Sequence, residues 1–140
     1  MDTTMQIIAA VLAVPLAALG LRSLLLPGQM ADAVGLSPNG VPGLSEVRSV
    51  LGGLLAGSAA LIVVGVVATE PVWFLAVAVL MGVAILGRLI SLAVDGFDRT
   101  VVPPLVIEIV VAAVMIAAAG VIDGATPRDR RQALEVAIGG

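Results

Sequence analysis

Arg88 and Glu108 are each an ionisable side chain alone in a long apolar run, residues 72–94 for the arginine and 101–122 for the glutamate. An unpaired charge near the centre of a bilayer costs ~2.5 to 3.5 kcal/mol and less towards its faces, so neither is expected to point at lipid. Arg88 lies six residues before the end of its run and Glu108 seven after the start of its own. At 1.5 Å per helical residue both sit roughly 10 Å in from the same face, where an arginine–carboxylate bond satisfies both. Glu46 and Arg48 precede another apolar run on that face. An arginine in a first helical turn opposes the helix dipole unless an acid partners it, and Glu46, Asp95 and Glu108 are the candidates. Glu46, Arg48, Arg88, Asp95 and Glu108, with Ser49 and Ser91 nearby, are therefore read as one polar cluster. Such a cluster either locks helices together or holds the acidic head group of an amphiphile, with Glu108 as proton acceptor in the second case.

Composition excludes much else. Of 140 residues, 60% are hydrophobic and 12% charged, with a mean hydropathy of +1.18, unlike a soluble domain. Cysteine, histidine and tyrosine are absent and every basic residue is arginine, which removes disulfides, imidazole chemistry and lysine Schiff bases. We therefore expect no catalytic residues, no metal and no cofactor, and a non-enzymatic role is favoured over an enzymatic one. A net charge of −3 gives no basic surface for nucleic acid.

The elements that must carry the cluster are four spans, placed at residues 5–26, 49–69, 72–94 and 101–122, each near the ~20 residues that cross a bilayer. The fold expected is all-α, a four-transmembrane-helix bundle (1–122) with a tail (123–140) that carries a short amphipathic C-terminal helix. Pro27-Gly28 closes the first span, Ser37-Pro38-Asn39-Gly40 is turn chemistry, Glu70-Pro71 makes a hairpin, and Asp95-Gly96-Phe97-Asp98 ends the third span. Pro103 and Pro104 fit a first helical turn, whereas Pro15 is expected to kink the first span. Residues 29–36 read as a short interfacial helix ended by Gly35, with a plain loop as the alternative. Thr126-Pro127-Arg128-Asp129 reads as a helix start, after which Ala133, Leu134, Ala137 and Ile138 share one face on the membrane surface.

The amino terminus lacks the positive region of a secretory signal and is read as a retained span. Trp73, Phe74 and Phe97 stand at helix ends, as an interfacial belt. Gly53 and Gly57 form a GxxxG pattern extended by Gly52 and Ala60, and Ala78 with Gly82 forms a smaller one, so close helix packing is expected, within the chain or between copies.

Gly20-Leu21-Arg22 with Pro27, the stretch Glu46-Val47-Arg48-Ser49-Val50-Leu51-Gly52-Gly53-Leu54, then Gly87-Arg88-Leu89-Ile90-Ser91, Asp95-Gly96 and Glu108 together resemble an uncharacterised bacterial family of small four-helix membrane proteins, catalogued as a domain of unknown function and distantly DoxX-like. The resemblance spans residues 1 to 122. It implies the same fold and the same polar residues, and carries no established activity.

The function expected is a non-enzymatic accessory subunit or binding module, the alternative being a lipid or amphiphile binding or transport protein. The partners expected are membrane lipids and a larger membrane complex or a homo-oligomer. An oligomeric channel is disfavoured, since one carboxylate deep in a span does not make a pathway. The location expected is a bacterial plasma membrane; Arg128, Arg130 and Arg131 in the tail are matched by Arg22, Arg48 and Arg99 on the opposite side, and both termini are expected to be cytoplasmic on the condition that a carboxylate within the bundle occupies Arg48.

Overall fold

The computed structural model describes the backbone of residues 3–138 and the side chains of residues 3–122. Five helices account for it: α1 (Thr3–Leu25), α2 (Pro27–Ala33), α3 (Gly40–Ala68), α4 (Pro71–Val94) and α5 (Val102–Ile138). Four are long and apolar enough to cross a membrane, which makes this a multi-pass membrane protein.

Local chemistry sets the boundaries. Proline at the first position of α2 and of α4 lacks only an amide hydrogen that has no helical acceptor there. Gly35 (φ 73°) ends the short interfacial helix that the sequence suggested. Thr69 takes a left-handed conformation (φ 56°), closes α3 by donating its N–H to the Gly65 carbonyl, and leaves Glu70 extended before α4. A 3-10 turn (Arg99–Val101) leads into α5, and the Asp98 carboxylate accepts from both the backbone N–H and the hydroxyl of Thr100. Those two bonds hold the Asp98 carboxyl below its ordinary pKa.

Two boundaries correct the sequence reading. α3 starts at Gly40, nine residues before the span placed at Ser49, because extended Asn39 and the turn before it are followed by a helix that accommodates Pro42 in its first turn. Gly43 permits this, since a Cβ there would stand 2.9 Å from the backbone of Pro38. Glu46 and Arg48 therefore lie inside a helix, not at its start. α5 runs on to Ile138, so the tail helix continues the last span instead of starting afresh at Thr126; Pro127 removes one backbone hydrogen bond without forcing a turn. The amphipathic face proposed for Ala133, Leu134, Ala137 and Ile138 lies outside the described side chains. Pro15 sits inside α1, where the sequence places it.

The helices pack in a ring in which α1 lies on α3, α3 on α4, and α4 on α5, with a looser contact between α5 and α1. Each turns one narrow stripe inward: Ala9, Ala13, Leu16 and Gly20 on α1; Ala59, Ile62 and Gly65 on α3; Phe74, Val77 and Met81 on α4; Val111, Met115, Ala118 and Ile122 on α5. Val14, Val67, Val79 and Val83 point outward, each well over half exposed, as lipid-facing positions do. Because lipid tails are as apolar as these side chains, close van der Waals packing, not burial from water, holds the helices together. Phe74 belongs to this core and not to an interfacial belt: its ring is fully buried against Gly65, where a Cβ would stand 2.9 Å from it. Trp73 and Phe97 remain at helix ends and exposed.

Candidate functional site

Continuing the inward stripe of α4 upward from Phe74, Ala78 and Met81 brings the helix to Arg88; continuing that of α5 from Met115 and Val111 brings it to Glu108. Both are on the face that packs α4 against α5, and they meet. Arg88 Nε donates to Glu108 Oε1 at 2.9 Å and to Oε2 at 2.8 Å. The glutamate side chain is 14% exposed and the arginine 35%. Among the described residues this is the only ion pair. The depth matching that the two sequence positions imply is thus realised as a direct contact.

Arg48 is placed differently. Its Nε donates to the backbone carbonyl of Leu24 on α1, at 3.1 Å. Leu24 is next to the last residue of α1, where carbonyls lack an intrahelical donor, so Arg48 satisfies an orphan acceptor of a neighbouring helix. The helix beneath it is locally widened: residues Val47–Gly52 form a π-helical turn, and the N–H of Gly53 reaches back five residues to the Arg48 carbonyl. Such turns carry one residue more than an α turn and recur at functional sites.

The five charged residues do not converge. Asp95 accepts from the Ser91 hydroxyl at 2.8 Å, in an exposed position at the end of α4. Ser49 donates to the Glu46 carbonyl at 3.4 Å, while among the described residues the Glu46 carboxylate has no hydrogen bond or ion pair. The cluster is thus one interhelical ion pair, one arginine tied to a backbone carbonyl, and two carboxylates at the rim.

The packing glycines are partly relocated. Gly52 does face α1, with a Cβ there only 2.9 Å from the Leu24 side chain. Gly53, Gly57 and Gly82 face nothing within 4 Å, so within the chain the GxxxG pattern is not the packing seam. The residue that sequence reasoning missed is Gly20, where a Cβ would come within 2.5 Å of the Ala56 nitrogen. Its one signal was its place in the Gly20-Leu21-Arg22 stretch. Below that contact the seam opens into a groove of about 410 Å³, walled by Ala13, Ala17 and Leu21 of α1 and Ala56, Ala60 and Val63 of α3. A second apolar groove, of about 260 Å³, lies in the looser contact between α1 and α5.

Comparison with known families assigns this geometry to a lineage, because a domain of unknown function, DUF4345, matches residues 4–125. The chain belongs to the DUF4345 family. The match takes in all four spans, and with them Arg48, Arg88 and Glu108. No curated protein and no solved structure matched. The resemblance to an uncharacterised four-helix family is borne out, and DUF4345 brings no activity to assign to these residues.

Proposed function

We propose that this DUF4345 protein is a non-enzymatic accessory subunit or binding module of a membrane assembly, in a bacterial plasma membrane with both termini on the cytoplasmic side. The observation that carries the reading is the Arg88–Glu108 pair. The two ionisable groups set in the spans α4 and α5 bond each other across the helix contact, which supports reading them as a lock of the scaffold. The outward apolar surface then serves as the face that lipids or larger subunits touch. The expected partners are membrane lipids and a larger complex or a second copy.

The test is gentle extraction from the native membrane followed by native mass spectrometry. Recovery in a defined stoichiometric complex with other subunits, unaffected by Arg88→Ala in its ligand content, supports the accessory role. A chain that always extracts bare and monomeric, and turns over a small molecule in vesicles, overturns it.

A second reading has its own support: a lipid or amphiphile binding protein. Arg48 carries a positive charge that no carboxylate among the described residues neutralises, which is unusual for an arginine within an apolar helix and suits an anionic head group.

A further inference from the structure

We infer that the seam between α1 and α3 is a binding site for an anionic phospholipid of the surrounding bilayer, with the phosphate on Arg48 and one acyl chain in the alanine-walled groove below it. The inference rests on the lipid reading above and assigns it to one arginine and one groove.

Three observations converge on that seam. First, Arg48 uses only its Nε in the bond to the Leu24 carbonyl, so the two terminal amino groups of its guanidinium, a fork that matches phosphate oxygens, have no partner among the described residues. The acceptor it does have is neutral, so the full positive charge is retained. Arg88, by contrast, is neutralised by Glu108 and offers an anion no net charge. Glu46, two positions before Arg48, projects to nearly the opposite side of the helix, about 200° around it.

Second, the depth is that of a head group. Arg48 stands twenty residues from Ala68 at the other end of α3, roughly 30 Å at helical rise, which is the thickness of the hydrocarbon core. A phosphate held there occupies its ordinary level in the bilayer.

Third, the groove continues along the face that Arg48 begins. Gly52, Ala56, Ala60 and Val63 follow Arg48 at helical spacing on α3, and Leu24, Leu21, Ala17 and Ala13 follow on α1. The helices touch at Gly52 and Gly20, then part into the groove of about 410 Å³, whose lining is apolar. An arginine above a trough without polar groups has the charge and shape of a phospholipid in reverse.

The experiment is native mass spectrometry of the detergent-purified protein, titrated separately with phosphatidylglycerol and with phosphatidylcholine of the same chains. Wild type is expected to retain phosphatidylglycerol preferentially. Arg48→Gln is expected to cut that adduct about fivefold, the contribution of one basic residue at an anionic surface, and Arg48→Lys to keep most of it. Ala60→Phe fills the groove and is expected to remove the adduct with Arg48 intact; it also decides the matter if Arg48→Gln does not fold. Equal retention of both lipids, an adduct unchanged by Ala60→Phe, or displacement by millimolar inorganic phosphate overturns the inference. If Arg88→Leu strips the lipid while Arg48→Gln does not, lipid binding stands and this site is wrong. If no variant or wild type holds any lipid, both readings fall.

Discussion

The seam between α1 and α3 and the seam between α4 and α5 solve one problem in opposite ways. Each brings an arginine towards the same end of the bundle, near the C-terminal ends of α1 and α4. Between α4 and α5, Arg88 finds a carboxylate on the facing helix, and the pair is electrically closed. Between α1 and α3, Arg48 finds only the carbonyl that the end of α1 leaves spare, and the charge stays open. The backbones differ accordingly. α1 and α3 approach so closely that a Cβ at Gly20 would meet the Ala56 backbone, whereas on α4 neither Gly82 nor Gly87 faces anything within 4 Å. One seam is held by small residues and the other by charge, so an arginine in a span does not by itself mark a lock; the partner decides.

The comparison is broken most severely at Gly20. Gly20→Leu is expected to lower stability by about 3 kcal/mol, measured by denaturant unfolding in micelles, because the obstacle is backbone that cannot turn away. An effect under about 0.5 kcal/mol would show that glycine contact does not hold this seam.

Next comes the charge-held seam. Glu108→Leu is expected to cost about 2.5 kcal/mol by leaving Arg88 unpaired within the span, and the double change Arg88→Leu with Glu108→Leu to recover most of it. If the double variant is as weak as the single one, the pair contributes shape and not charge.

The smaller tests sharpen the contrast. Gly57→Ala, where nothing lies within 4 Å, is expected to change stability by less than about 0.5 kcal/mol, although it belongs to the most conspicuous glycine pattern in the chain. A loss comparable to Gly20→Leu would relocate the seam. Asp98, whose bonds to Thr100 lower its pKa, is expected to add a small stabilisation to the start of α5 that is complete above the ordinary aspartate value of 3.8 and disappears as pH falls through the lowered one. Thermal melts across that range should slope for wild type and lose that component in Asp98→Asn.

The charge-held seam was the more legible in the amino-acid sequence, and for a physical reason. Hydropathy marks the spans, and counting residues from their ends places Arg88 and Glu108 at one depth, so their contact follows from arithmetic. The other seam depends on where two helices cross, which Gly20, Gly53 and Gly57 cannot reveal, since glycine carries no label for the face it presents. The bond from Arg48 to Leu24 was hidden because its acceptor is a backbone carbonyl, common to every residue and available only where α1 stops. The early start of α3 was hidden too: the turn chemistry of Ser37-Pro38-Asn39-Gly40 does not show that the helix begins at its last residue, where Gly43 lets the chain fold back against Pro38. Phe74 was misplaced by its position near a helix end, when the opening left by Gly65 drew it inward.

The widened turn at Val47–Gly52 makes this region tolerant of losing one residue. A π turn is an α-helix with one surplus residue. Removing Val50, a half-exposed residue within it, would let α3 close into a regular helix with its two flanking parts in nearly unchanged register, because the surplus residue is what the widening absorbs. Arg48 would stay on the side of α3 that faces the end of α1. A one-residue deletion there is thus absorbed, whereas the same deletion in the regular stretch from Gly53 to Ala68 would turn the two parts of α3 by about 100° relative to each other and re-aim Arg48 within a helix that stays helical.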